Sequence, residues 1–330
     1  MLKQTVSGVA GALGAWRVTR RMTRDVPRIF MFHRFSAGPN GHFTSTDALV
    51  RFIRRVGQEC EFVTLRELVD RWDRGVRSPR PLAVITVDDG YADFHTTAVP
   101  ILADLKVPAS LYATAGFVDG QCWLWWDALR YLLQVHPGGK LELKLSHRRV
   151  QVELGDAASR RAAWASIADD LVTRNEDRRQ VIAQLEASGG VALPSRPTEE
   201  FAPMSWTQLA EAESAGIEIG GHTMTHAFLP GLEAAELRHE IEDAKRLVEQ
   251  HLKAPLVTFA YPNGMPVDYS PDVAAAIQAA GFVAAAMAHP RRFHSADRYR
   301  LGRWSAPCAE PKLCQILSGA SALKLRWRGP

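Results

Sequence analysis

Cysteine is scarce in this chain of 330 residues: Cys60, Cys122, Cys308 and Cys314 are all it has. None stands in a C-x-x-C pair, which argues against a zinc ribbon, a thioredoxin-type redox motif and a disulfide-built secreted scaffold. Cys308 and Cys314 would pair only if the chain turned back between them. Long apolar runs are missing as well. Residues 2–16 carry Lys3 as their only charge, but the segment is too short and too poor in Leu, Ile and Phe to span a bilayer, and Gly8, Gly11 and Gly14 weaken it as a helix. Most of its positive charge comes after the apolar part, in Arg17-Val18-Thr19-Arg20-Arg21, the reverse of a signal peptide. There is no glycine fingerprint for a dinucleotide and no phosphate loop. Neither sign of charge dominates, with 40 Lys and Arg against 36 Asp and Glu. Basic residues are not interleaved with aromatics, so no nucleic-acid partner is expected. The expectation is a cytoplasmic protein. Its two apolar-basic ends, the second being residues 323–328, suit peripheral membrane contact, although frayed cationic termini fit the same pattern.

With 46% hydrophobic residues the chain has ample material for a large core. Short apolar runs at 28–32, 62–63, 82–87, 109–113, 217–221, 256–260 and 282–286 read as strands, and helical periodicity fills the gaps between them. Helices are expected from Thr46, from the capping box Thr64-Leu65-Arg66-Glu67, and over 92–105, 233–252 and 271–280; Ser205 reads as the cap of another. Between 140 and 154 the period changes to strict alternation, which predicts a β-hairpin, followed by helices over 157–173 and 176–188. We therefore read residues 28–305 as one α/β domain with an insertion at about 136–200, preceded by a basic amphipathic segment (1–27) and followed by a tail (306–330). Alternating strands and helices imply a mostly parallel sheet, and the missing nucleotide motifs favour a closed or nearly closed β/α barrel over an open sheet.

Two stretches carry the chemistry. Thr86-Val87-Asp88-Asp89-Gly90-Tyr91 places adjacent carboxylates at the end of a buried strand, where β/α folds put their reactive groups. Alone, the doublet reads more readily as a helix cap beside a solvated acid. His222-Thr223-Met224-Thr225-His226 ends another strand and sets two imidazoles at i, i+4. With one carboxylate they make a two-His, one-Asp donor set that leaves positions open for water and substrate. Neighbouring side chains diverge, so one Asp suits a metal and the other suits a base for water that the metal acidifies. Trp123, Trp125 and Trp126 either bury area or, for Trp125 and Trp126, line a cleft as flat surfaces for sugars.

The Asp-doublet stretch resembles the TFDDG motif of the polysaccharide deacetylases, the NodB-homology carbohydrate esterases. His222 to His226 resembles that family's H-S/T-x-x-H motif, and Phe259-Ala260-Tyr261-Pro262-Asn263-Gly264 its third motif. Arg28 to His33 is similar to the MYHRV-like start of a subgroup whose late LxHD motif is permuted to the N-terminus. The resemblance implies a distorted (β/α)7-type barrel, the NodB-homology fold. It implies a divalent metal, zinc above cobalt, nickel or iron, on Asp89, His222 and His226. Asp88 would be the base and His33 the acid for the leaving amine, with His289 and His294 as runners-up. The backbone N–H of Tyr91 would face the oxyanion, and Arg303 would supply the cation near Asp88. Tyr261 would contact substrate or shape its turn. The activity implied is N-deacetylation of an N-acetylhexosamine unit in a glycan, exopolysaccharide or lipid-linked precursor. Hydrolysis of another amide, such as an imide or formamido-sugar, and an inactive glycan-binding homologue are the competing readings.

Overall fold

The strand Leu82–Asp89 is buried at every position, as a parallel strand covered on both faces requires. In the computed structural model, which describes residues 15–40, 43–306 and 308–327, it lies inside a parallel sheet. The order is Leu301–Gly302, Ala284–Met287, Thr258–Ala260, Ile217–Gly221, Ala109–Ala113, Leu82–Asp89, Arg28–Phe32 and Trp304–Ser305. Glu61–Phe62 pairs beside the start of Leu82–Asp89. The two strands at the ends of this path are separated in sequence by Arg303 alone. The chain therefore bridges its own sheet edges, and the result is the nearly closed, distorted (β/α)7-type barrel expected.

Alternation along the strands sorts two cores. Phe30, Phe32, Ile85, Val87 and Leu111 belong to the larger cluster with the helices. Ile29, Val84, Tyr112, Ala260, Ala284, Ala286 and Leu301 belong to another, inside the barrel. Three alanines on two adjoining strands leave room there for the bulk of Tyr112 and Arg303, whose guanidinium lies 5.6 Å from the Tyr112 ring centre. The far end of the barrel is plugged by Glu218. It accepts from Ser110 Oγ at 2.6 Å and from the Arg66 amide at 3.0 Å. Those contacts also cap the helix Leu65–Asp73, where only half of the expected capping box forms. Thr64 Oγ1 accepts from the Glu67 amide, but the Glu67 carboxylate turns to Arg71 at 2.6 Å.

Two expected helices contain a wider π turn. Within 92–105 it covers Phe94–Ala98, ending two residues before Pro100, whose ring and missing N–H oppose a regular turn. Within 233–252 it covers His239–Asp243 and carries a buried Glu240. The insertion is an antiparallel hairpin, Gly139–Lys144 with Arg149–Leu154, and the helices Ala157–Leu171 and Asn175–Gly189. It has its own apolar cluster, including Leu143, Val150, Ile167 and Val181. Residues 310–317 and 320–327 are helical, and Leu313, Ile316 and Leu317 join the main core. The helix Ala15–Met22 is tied to them by Thr19 Oγ1, which donates to the Ser318 carbonyl at 2.8 Å. Residues 1–14 of the expected amphipathic segment, and 328–330, lie outside the described residues. No described helix is long and apolar enough to cross a membrane.

The strand that delivers His222 is packed without slack. A Cβ on Gly220 would stand 2.7 Å from the Thr258 carbonyl oxygen and 2.7 Å from the Tyr112 ring. Gly220→Ala is expected to destabilise the fold by about 1–3 kcal/mol. An unchanged midpoint in urea unfolding would count against this packing.

Candidate active site

The candidate carboxylates Asp88 and Asp89 and the imidazoles His33, His222 and His226 gather at the C-terminal mouth of the barrel. Regular alternation would send Asp88 and Asp89 to opposite faces of their strand. A left-handed φ of 78° at Asp89 breaks the alternation, and both carboxylates line one cavity of about 520 Å³. His33, Tyr91, Trp126, Asp127, His222 and His226 line it too.

The two carboxylates have different surroundings. Asp88 is clamped by Arg303, whose two terminal nitrogens donate to Oδ1 at 2.6 Å and Oδ2 at 2.7 Å. Arg303 also donates to Thr86 Oγ1 and the Met287 carbonyl, and is fully buried. Burial pushes the Asp88 carboxyl up, but Arg303 and then His222 outweigh it and hold it below the usual carboxylate range. Asp88 is thus a charged acceptor at any ordinary pH. Asp89 instead faces two imidazoles, with Oδ1 3.5 Å from His222 Nε2 and 3.7 Å from His226 Nε2.

Those three side chains fit a divalent ion. Their donor atoms all lie within 4.8 Å of one another, and all three residues are buried. Separations of 3.5 and 3.7 Å are long for hydrogen bonds, yet close to the roughly 3.3–3.6 Å between ligands that share one tetrahedral zinc. His222 Nδ1 donates to the Ala260 carbonyl at 2.8 Å, which turns the Nε2 lone pair toward the cavity. For His226, burial first, then His222 and Arg178, push the pKa well below that of a free imidazole. Its ring is neutral and has a lone pair to give. For His222 burial also opposes protonation, but the charges of Asp89 and Asp88 prevail and raise it. The local field therefore favours a cation.

The loop that holds the histidines is strained and braced. Thr223 (φ 67°) and His226 (φ 57°) are left-handed, and so is Asn263 (φ 55°) in the third motif. Each costs of order 1–3 kcal/mol unless its surroundings enforce it. Glu240 provides the enforcement. Its carboxylate accepts from the Met224 amide at 3.0 Å, the Thr225 amide at 2.9 Å and Thr225 Oγ1 at 2.6 Å. Arg178 of the insertion donates to the His226 carbonyl at 3.1 Å, and Asn175 exchanges two hydrogen bonds with the backbone of Phe228. Sequence reasoning missed Glu240, Arg178 and Asn175. They lie in polar helices whose pattern gives no sign that these positions turn inward.

The aromatic residues separate. Trp126 stands edge-on to His226, ring centres 4.6 Å apart, and its Nε1 donates to the Tyr91 hydroxyl at 2.9 Å. That hydroxyl in turn donates to Asp127, whose carboxyl burial lifts to about 6. Asp127 was also missed, because it reads as an ordinary acid in the first turn of a helix. Trp125 lines a neighbouring cavity of about 730 Å³, with Arg178 4.9 Å over its ring. Tyr261 stays out of the mouth as well. It is buried and its hydroxyl donates to the Tyr299 carbonyl at 3.0 Å, so it shapes the turn. The Tyr91 amide donates to no backbone carbonyl among the described residues. His33 is exposed at the rim. His289 and His294 do not line the cavity.

Two outcomes follow from this wiring. Arg303→Met leaves a buried carboxylate without its partner and is expected to cost about 3–5 kcal/mol near neutral pH. The lowered pKa of Asp88 stabilises the native protein above the unfolded value of about 3.9, and that contribution is lost as pH falls through the lower, native value. The gap between wild type and variant should therefore narrow below about pH 4. A gap that stays constant in pH-dependent denaturation would contradict the pairing. Glu240→Gln removes an acceptor from the loop and should weaken uptake of an added divalent ion by about 10- to 100-fold, read by competition against a chromogenic chelator.

Comparisons with known proteins bear on the family and the fold. Residues 171–285 match the polysaccharide deacetylase family model. That stretch holds both histidines and the third motif, and the barrel adds Asp88, Asp89, His33 and Arg303 from outside it. No curated protein matches the chain in sequence. Among solved structures, the chain is similar to the Streptococcus pyogenes deacetylase PplD in complex with acetate, at 15% identity and TM-score 0.57, over 88% of this chain and 97% of that one. IcaB from Ammonifex degensii is similar at 18% identity and TM-score 0.56, over 89% and 97%. The BpsB deacetylase domain from Bordetella bronchiseptica aligns at 16% identity and TM-score 0.50, over 85% and 95%. At such identities the structural likeness speaks for the fold, while the family match covers the histidine half of the site. Residues 171–285 thus match the family model of the polysaccharide deacetylases, and the barrel around them has the fold of deacetylases of known structure.

Proposed function

We propose that this protein removes the acetyl group from N-acetylhexosamine units of a glycan, exopolysaccharide or lipid-linked precursor, using a divalent cation on Asp89, His222 and His226. One observation carries the reading: two adjacent carboxylates share a cavity, yet one is clamped by Arg303 and the other faces two imidazole nitrogens. A single acid serves as a ligand or as a base; this pair is divided so that it serves as both.

Zinc suits the nitrogen and oxygen donors, as would cobalt, nickel or iron, and when bound such an ion polarises the acetyl carbonyl and acidifies water. Asp88, ionised and fixed by Arg303, accepts the proton as water attacks the carbonyl carbon. The Tyr91 amide donates to the oxygen that gains charge. His33, at the wet rim, delivers a proton to the leaving amine and can recharge from solvent. Trp126 offers an apolar wall against which a sugar ring can lie.

Purified protein is expected to retain a divalent metal by mass spectrometry and to release acetate from N-acetylglucosamine oligomers. Asp88→Asn should lower acetate release by about 10²–10⁴-fold with metal uptake intact. Asp89→Asn and His226→Ala should lose the metal itself. The deficit of His33→Ala should shrink on an activated acetanilide, whose less basic leaving nitrogen depends less on a well-placed proton donor. Formate release exceeding acetate release on matched substrates would move the reading to a formamido-sugar, and full activity in Asp88→Asn would sink the division of roles.

A further inference from the structure

The end of the barrel opposite the catalytic mouth carries a surface that the deacetylation chemistry does not use. The helix Ala15–Met22 has two distinct sides. Trp16, Thr19 and Arg20 face the protein, with Thr19 on the Ser318 carbonyl and Arg20 on Glu59. Arg17, Val18, Arg21 and Met22 are exposed. On a helical wheel these four fall within one continuous arc, Arg17 over Arg21 beside Val18 over Met22. Val18 and Met22 are each 60% exposed, among the most open large apolar side chains described.

A second segment adjoins this one. Arg24 and Asp25 share a groove with Val76, Arg77 and Arg80, and Val76 is 50% exposed. Arg20 and Arg80 also both lie close enough to Cys60 to influence its thiol. Among the described residues, Arg17, Arg21, Arg74, Arg77 and Arg80 have no carboxylate within 4.0 Å, whereas Arg24 meets Asp25 at 3.9 Å. The face thus combines guanidinium groups that meet no carboxylate, Arg74 and Arg80 bonding only backbone carbonyls, with protruding apolar side chains. Residues 2–14, which lead into it, contain no Asp or Glu.

We propose that this face docks the protein on an anionic lipid surface, with Val18, Met22 and Val76 entering the headgroup layer and the arginines pairing with lipid phosphates. Arginine interleaved with exposed apolar side chains on a short amphipathic helix is the chemistry of an interfacial anchor. A polyanion such as nucleic acid would use the charge but leave the apolar groups without a role. Arg24 to Pro27 lead into the start of the strand Arg28–Phe32, and Val76 to Pro81 into the start of Leu82–Asp89. The carboxylates are at the other end of that strand, roughly 20–23 Å away at about 3.3 Å per residue. Docking this way turns the mouth toward the aqueous phase. A substrate glycan on the same membrane must then extend at least that far from its lipid, or come from solution.

The test is co-sedimentation of the full chain with phosphatidylcholine vesicles, with and without phosphatidylglycerol. Binding is expected only with the anionic lipid and should fall as salt is raised. Arg17→Glu with Arg21→Glu should weaken it at least about tenfold, since each basic residue near such a surface contributes about 1 kcal/mol. Arg77→Glu with Arg80→Glu should do the same, and Val18→Ser with Met22→Ser should weaken binding without changing net charge. All three double variants should keep wild-type metal content and thermal unfolding. Absence of binding to anionic vesicles would overturn the proposal. So would binding that the Val18/Met22 variant leaves intact, or a preference for nucleic acid over vesicles. None of these results depends on catalysis, so the deacetylase reading stands or falls separately.

Discussion

The buried pair of Arg303 and Asp88 is the constraint on which the rest depends. A carboxylate removed from water costs several kcal/mol unless a partner offsets it. Here the partner is the one residue between the two strands that close the barrel. Closing the sheet and charging Asp88 are therefore the same structural event. The alanines at 260, 284 and 286 are small because the guanidinium must lie inside the barrel beside Tyr112. The barrel's least regular place is thus also its most polar. Its two-residue strands are tied both by their short ladders and by a side chain reaching across to the Asp doublet.

A second constraint is conformational. Asp89, Thr223, His226 and Asn263 all adopt left-handed backbone that non-glycine residues avoid. The turns exist because surrounding groups fix them: Glu240 under Met224 and Thr225, Arg178 under His226, and Asp268 on the side chain of Asn263 at 3.0 Å. The ordering cost is met during folding, so the donor atoms are already gathered. This is the usual trade at a reactive site, in which stability is given up for preorganisation.

Much of this was legible in the sequence. Apolar runs of four to six residues fixed the parallel strands, since only strands covered on both faces are apolar throughout, and the change to period two at 140–154 marked the hairpin. The doublet and the paired histidines stood out because reactive groups follow strand ends. What stayed hidden was long-range. Glu240 is one acid among several in a polar helix, and only the π turn aims it inward. Arg178 and Asn175 look like solvent-facing residues of an insertion. Trp125 and Trp126 are adjacent, yet a perpendicular arrangement sends them to different cavities. Tyr261 sits in a family motif, but its hydroxyl is taken up by Tyr299. No local pattern distinguishes a side chain aimed at substrate from one that holds a turn.

The insertion deserves a different description from the one its place in the sequence suggests. Its second helix begins with groups that hold the histidine loop, and the Val172 carbonyl before that helix accepts from Asn263 in the third motif. Two of the site's three loops thus lean on a segment that looks dispensable. In engineering terms it is a poor candidate for trimming or exchange. A segment of equal length grafted from a relative would bring its own positions for these contacts, and would retune the donor set before it altered the outer surface.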